Sequence, residues 1–317
     1  MNTIYEDEIA VLVPCLNEES TVGSVVTSFR KYFPTARVYV FDNGSDDNTA
    51  SFATDAGATV VSIPIKGKGN VMREMFRRVS AEIYVLVDGD DTYFAEDAPS
   101  MVDLLIKDQL DMVVGDRLSN QVYDEQNKRR FHSFGNRLVL KLINILYRAD
   151  CRDILSGYRV FSRRFVENCP ILSDGFEVET EITIHARDKK LLTREIPIQY
   201  RDRPPGSVSK LSTIKDGIRI LKTITLLFKD YKPLHFFSFV AVCFLVLGLI
   251  CGIFPITEYF KTGEVTRFPL AFLAASLEVL SALLFCCGVI LDTFARSARE
   301  QFELRLLRFN RHNKENE

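Results

Sequence analysis

The chain has no basic excess: its 40 Lys and Arg residues face 42 Asp and Glu, for a net charge of −2. A nucleic-acid binder would carry a strong positive balance, so no nucleic-acid partner is expected. No apolar leader is evident, because residues 1–8 are polar and acidic. The seven cysteines lack any CxxC spacing, and Cys243, Cys251, Cys286 and Cys287 lie inside apolar runs. Neither a disulfide framework nor a zinc site is suggested by that pattern. Glycine-rich phosphate loops are missing too. Around Gly67-Lys68-Gly69 a Walker loop would need Gly where Ser62 stands, and Ser or Thr where Gly69 stands. A dinucleotide loop would need Gly at the position of Met72. No GxSxG elbow, zincin motif, internal repeat or low-complexity tract occurs, and His132 and His185 read as structural.

Charge is scarcest in the last third. Phe236 to Phe254 runs for 19 residues without a charge, and Phe268 to Leu291 carries only Glu278. Each is close to the roughly 20 residues a helix needs to cross a bilayer. Buried core helices usually keep a polar stripe, and neither segment has one. Lys222, Lys229 and Lys232 precede the first span, and Arg296, Arg299, Arg305, Arg308 and Arg311 follow the second. The linker, Pro255 to Arg267, holds only Lys261 and Arg267 as cations. The positive-inside rule therefore predicts an integral membrane protein whose soluble portion and both termini are cytoplasmic.

Leu211, Ile214, Ile218, Leu221, Thr225 and Phe228 recur at helical spacing among Lys215, Arg219 and Lys222. This predicts an amphipathic helix in the lipid interface, with an ordinary surface helix as the alternative. The expected layout is a soluble domain over 1–210, the interfacial helix over 211–232, a transmembrane hairpin over 233–292 and a basic tail over 293–317. Glu278 falls near the middle of the second span, where an ionised carboxylate is costly. The expectation is that it is neutralised or turned toward a neighbouring copy, with the hairpins associating as a homo-oligomer.

The first part alternates strand-like and helix-like patterns. Ile9–Val13, Val38–Phe41, Thr59–Ile63, Ile83–Val87 and Met112–Val114 read as buried parallel strands, and Val22, Val25, Val26 and Phe29 have helical spacing. The alternation predicts an α/β domain with an open, mostly parallel sheet, whose ligands bind beyond the carboxyl ends of the strands. Four successive strand ends deliver polar clusters to that rim: PCLNEE, DNGSDD, PIKGKGN and DGDD. Four together argue for a site.

Asp88, Asp90 and Asp91 crowd one turn, and such carboxylates repel unless a cation neutralises them. An oxygen-only set suits Mg²⁺ or Mn²⁺, completed by substrate phosphates. An EF-hand counted from Asp88 fails, with Tyr93 in place of its Gly and Pro99 in place of its Glu. Asp42 can accept hydrogen bonds from a base or ribose, and Lys68 can reach a diphosphate from its loop. Cations gather later at Arg117, Lys128-Arg129-Arg130, Arg159, Arg163-Arg164, Arg201, Arg203 and Lys210. Arginine forks grip phosphate oxygens in pairs.

VPCLNEES, DNGSDD, DGDD and LSGYRVFSRRF together resemble the family 2 glycosyltransferases of the polyprenyl-phosphate type, such as dolichol-phosphate mannose synthases. The resemblance covers about residues 8–211. It implies a GT-A fold, followed in many members by a membrane hairpin. It also implies that Pro14, Asn17, Glu18 and Asp42 line the nucleotide pocket with Lys68 and Asp88, and that Asp88 and Asp90 form the metal pair. Arg117, Arg130, Ser133, Asn136, Arg203 and Lys210 would then face the acceptor phosphate, with Asp88, Asp90, Arg117 and Arg130 carrying the catalysis. Two departures stand out: Asn43 where the family often has Asp, and Thr92 where dolichol-phosphate mannose synthases carry Gln. The second favours a UDP-sugar donor over GDP-mannose.

The expected reaction is metal-dependent, inverting transfer of a sugar from a nucleotide to undecaprenyl or dolichyl phosphate. A phosphate monoester, with a second pKa of about 6, needs no strong base to attack. A transferase to a sugar hydroxyl is the alternative, and would need a carboxylate base such as Glu177, Glu179 or Glu181. A non-catalytic membrane scaffold of the same fold is a third reading.

Overall fold

The computed structural model describes residues 8–118, 140, 141, 143–145, 151–201, 203 and 213–316. All five expected strands form: β1 (Ile9–Cys15), β2 (Arg37–Asp42), β3 (Thr59–Ser62), β4 (Ile83–Leu86) and β5 (Met112–Asp116). Two more, β6 (Arg159–Ser162) and β7 (Thr193–Pro197), complete a seven-stranded sheet of order β3-β2-β1-β4-β6-β5-β7. Only β6 runs antiparallel, against β4 and β5, so the sheet is mixed and mostly parallel, as in GT-A domains.

The connecting helices are α1 (Val22–Tyr32), α2 (Thr49–Asp55), α3 (Lys68–Arg78), α4 (Ala98–Lys107), α5 (Arg163–Asn168) and α6 (Val178–Asp188). Alternation sorts the strand residues between two faces. Val11, Val13 and Val85 pack with Val25 and Phe29 of α1 and Met101 and Leu105 of α4. On the opposite face, Phe161 of β6 meets Phe76 of α3 edge to face. Both faces are covered, which is why the strands read as unbroken apolar runs. Each fully buried aliphatic side chain contributes about 1.5–3 kcal/mol.

Register then sets the site. Cys15 pairs with Asp42, and Asp42 with Ser62, so β1, β2 and β3 end in one row. Val87 donates to the Leu12 carbonyl, bringing the end of β4 to the same rim. The chain divides into two units, 1–224 with 309–317, and 225–308.

Helix α7 (Thr213–Tyr231) buries Ile220 and Ile224. Ile218 and Leu221 of the expected apolar stripe stay exposed, at 64% and 39%.

In the second unit, α8 (Pro233–Thr262) and the first part of α9 (Phe268–Asn316) are long and apolar enough to cross a membrane. Only 17% and 11% of their most apolar windows are buried, which sets them apart from core helices. The link between them is shorter than expected. Helix α8 continues through Pro255 to Thr262 and closes on Gly263, whose φ of 76° and N–H bond to the Tyr259 carbonyl form a left-handed cap. Likewise the basic segment after residue 292 continues α9 as one helix.

Small residues let α8 and α9 approach. The Ser281 hydroxyl donates to the Ala241 carbonyl at 2.8 Å. A Cβ on Gly248 would lie 2.6 Å from Oε1 of Glu278. Glu278 therefore sets that oxygen against Gly248 of its own hairpin. Gly248 has no side chain, so the carboxyl packs against its backbone.

Candidate active site

The strand ends are tied to one another before any ligand is considered. The Asn17 N–H donates to Ser45 Oγ at 2.8 Å, and the Asp46 N–H donates to Asn17 Oδ1 at 2.8 Å. Glu18 N–H donates to Thr49 Oγ1 at 2.8 Å. Asp42 is buried at the end of β2 and accepts from the Ser45 hydroxyl and N–H. Pro14, Asn17, Glu18 and Asp42 thus stand along the ends of β1 and β2, where a nucleotide pocket was expected.

Asn43 has a separate job. Its amide donates to the carbonyls of Ile63 and Ile65 at 3.2 and 2.8 Å, and its Oδ1 accepts from the Gly67 N–H at 2.7 Å. An aspartate could not make the two donations, so the amide is what staples the lysine loop to β2.

The loop's amides do not form an anion cradle, since Gly69 N–H and Asn70 N–H both point at the Asp174 carbonyl. Its Lys68 side chain reaches the acidic turn instead. Nζ lies 2.6 Å from Asp88 Oδ1 and 2.7 Å from Glu179 Oε1. Burial opposes the ammonium's charge, but the two carboxylates outweigh it and hold the lysine pKa above its ordinary value.

Each aspartate of DGDD has a cation. Asp88 meets Lys68, Asp90 Oδ2 meets Arg203 and Asp91 meets Arg201. Arg203 also approaches Glu18 Oε1 at 3.6 Å. The Thr92 hydroxyl donates to Asp90 Oδ1 at 2.7 Å and fixes that carboxylate's rotamer. Asp88 is approached by backbone, because a Cβ on Gly157 would lie 2.3 Å from its Oδ2. Gly157 N–H in turn donates to Tyr93 Oη at 3.0 Å, fastening the SGYR loop to the acidic turn.

No group of three or more His, Cys, Asp or Glu side chains suited to a metal occurs among the described residues. Two carboxylates on one short turn still fit Mg²⁺ or Mn²⁺, which take one or two from the protein when phosphates supply further oxygens. Gly157 lets Asp88 Oδ2 pack against bare backbone, where any side chain would collide with the carboxylate.

Arg117, expected at the acceptor phosphate, is engaged within the chain. Its fork meets Asp153 at 2.7 and 2.9 Å, and its guanidinium lies 5.5 Å over the Tyr200 ring. Arg159 is fully buried, bonded to the carbonyls of Ser156, Ile154 and Glu179, so it leaves the cationic surface altogether. Arg163 and Arg164 pair with Glu82, Glu167 and Asp111. Arg130, Ser133, Asn136 and Lys210 lie outside the described residues.

Asp153 and the Glu179–Lys68 pair were not singled out from the sequence, because nothing local marks a partner 36 or 111 residues away. Of the three glutamates considered as bases, Glu181 accepts from the N–H groups of Leu172 and Ser173, and Glu177 from Gly175. His185 is buried, which with the Lys189 charge lowers its pKa to about 4.

The model of glycosyl transferase family 2 matches residues 10–169, the sheet and rim just described. Glycosyltransferase AglJ of Haloferax volcanii is 32% identical over 298 residues, covering 94% of this chain and 97% of that one. The chain belongs to glycosyl transferase family 2. The family 2 assignment makes it a glycosyltransferase of the hexosyltransferase class. A dolichyl-phosphate hexose transferase of the same organism is 28% identical over 218 residues, 69% of this chain and 92% of its own length. Among solved structures, the glucosyl-3-phosphoglycerate synthase of Mycobacterium tuberculosis with Mn²⁺, UDP-glucose and phosphoglyceric acid superposes with a TM-score of 0.55. Its identity is 24% over 69% of this chain and 79% of that one, a likeness of fold.

Proposed function

We propose that this family 2 enzyme transfers a hexosyl group from a nucleotide sugar, with UDP-sugars preferred over GDP-mannose, to a polyprenyl phosphate. Pro14, Asn17, Glu18 and Asp42 shape the nucleotide pocket, and Lys68 is the cation nearest the diphosphate. Asp88 and Asp90 would hold Mg²⁺ or Mn²⁺, which supplies charge neutralisation for the departing nucleoside diphosphate. Arg117 and Arg203, with Arg130, Ser133, Asn136 and Lys210, hold the acceptor phosphate. A phosphate oxygen attacks the anomeric carbon, the bond to the diphosphate breaks, and the configuration inverts.

The observation that carries the reading is the electrostatic make-up of the rim. Among the described residues, cations face the acidic turn, and the candidate bases are committed elsewhere. Glu179 is paired with Lys68, Glu181 accepts from the N–H groups of Leu172 and Ser173, and Glu177 accepts from the Gly175 N–H. A hydroxyl acceptor would need one of them; an anionic acceptor needs none. The dolichyl-phosphate hexose transferase relative supports the same acceptor class.

The hairpin 233–292 tethers residues 1–210 to lipid, where a polyprenyl phosphate presents its head group. The exposed stripe of α7 would rest in the interface as residues 211–232. The basic flanks favour a cytoplasmic catalytic domain, with both termini on that side, including the tail 293–317.

The test is a panel of radiolabelled UDP- and GDP-sugars given to the purified chain with undecaprenyl phosphate. A UDP-hexose should yield an organic-extractable product, and label from GDP-mannose alone would overturn the donor assignment.

A further inference from the structure

Lys68 lies between two carboxylates brought from distant parts of the chain, Asp88 after β4 and Glu179 in the first turn of α6. The side chains of Lys68, Asp88 and Glu179 are only 10%, 25% and 6% exposed, so salt screens them little. We propose that Glu179 is a positioning residue: it holds the Lys68 ammonium as a second anionic partner and so keeps Asp88 available to a divalent cation. The inference rests on Asp88 and Asp90 being the metal pair.

An ammonium and a divalent cation compete for the same Asp88 oxygens. With Asp88 as its sole anionic partner, Lys68 would be left buried and unpaired whenever Asp88 turned to the metal, and a lone buried charge is costly. Glu179 removes that penalty, because Lys68 keeps a carboxylate 2.7 Å away whichever state Asp88 is in.

The geometry is held from both sides. The Glu179 carbonyl accepts from Arg159 Nη2 at 3.2 Å and from the Thr183 hydroxyl at 2.8 Å, pinning the turn that presents the carboxylate. Lys68 opens α3, whose start is fastened through Gly69 and Asn70 to the Asp174 carbonyl at 3.0 and 3.4 Å. The neighbouring acids of α6 do not substitute for Glu179, since Glu181 and Glu177 are directed at the backbone of 172–175.

The experiment measures Mn²⁺ affinity by electron paramagnetic resonance, on the full chain in detergent and without nucleotide sugar. Wild type, Glu179→Gln, Lys68→Met and the double variant form a cycle, with Asp90→Asn as the metal-site control. Glu179→Gln should weaken Mn²⁺ binding about tenfold in the Lys68 background, within the usual range of coupling between contacting groups, and less than about twofold in the Lys68→Met background. An equal loss in both backgrounds would mean that Glu179 attracts the metal directly, and would overturn the inference. Unchanged affinity in Glu179→Gln would also overturn it, while leaving the metal pair standing. Wild-type affinity no higher than that of Asp90→Asn would overturn the metal pair and this inference with it.

Discussion

Asp90 is nearly buried, with one oxygen on Thr92 and the other on Arg203. Asp90→Asn preserves shape and the Thr92 bond but removes the charge that a cation needs. It should abolish transfer while leaving the melting temperature near wild type; retained transfer at saturating Mn²⁺ would remove Asp90 from the site. Arg117 poses a sharper problem, because its fork already serves Asp153, which is fully enclosed. Arg117→Ala should cost about 3–5 kcal/mol, the usual penalty for leaving a buried charge unpaired. Pairing Arg117→Met with Asp153→Asn removes both charges and should restore stability. If Arg117 also holds the acceptor, transfer should stay lost in that pair, and recovery of transfer would make Arg117 purely structural. The sequence showed which residue types gather at the rim, because each follows a strand end. It did not show that Lys68 shares Glu179 or that Arg117 shares Asp153, since ion pairs between distant segments depend on topology that no local pattern encodes.

Element by element, the apolar runs were legible wherever both faces of a strand are buried, as in β1, β2 and β4. The antiparallel β6 was not, because RVFS is four residues long and contains the buried Arg159. Helix α6 buries residues all round, His185 included. Its imidazole keeps a depressed pKa of about 4 when folded, against about 6.5 when unfolded. Between those values the unfolded chain binds the extra proton, so the stabilising effect of a neutral His185 is intact above pH 6.5 and lost as pH falls toward 4. By pH 5 the loss reaches about 2 kcal/mol. Thermal unfolding of the full chain in detergent at pH 7 and pH 5 should show a smaller drop for His185→Gln than for wild type. An identical drop would assign the acid sensitivity to other groups. In the hairpin, a bulky side chain at 248 must displace Glu278. Gly248→Leu should lower the hairpin's thermal stability in detergent, and Glu278→Gln should be nearly neutral because the buried Oε1 has no hydrogen-bond partner to lose.

For the whole molecule, one chain carries a family 2 transferase unit and two helices that can cross a bilayer. Hydropathy alone revealed the second unit, since charge-free stretches of that length have few other uses. Composition did not show where the helices end, because a proline inside α8 and a basic stretch in α9 both continue their helices. The central claim is that the acceptor is a phosphate monoester on a lipid. It is tested by following ³¹P signals while the purified chain, Mn²⁺ and its nucleotide sugar act on undecaprenyl phosphate, with undecaprenol in a parallel sample. The account predicts that the monoester signal converts to a phosphodiester, one for each nucleoside diphosphate released, and that undecaprenol is left untouched. Release of nucleoside diphosphate with the monoester intact, or glycosylation of the free alcohol, would contradict it.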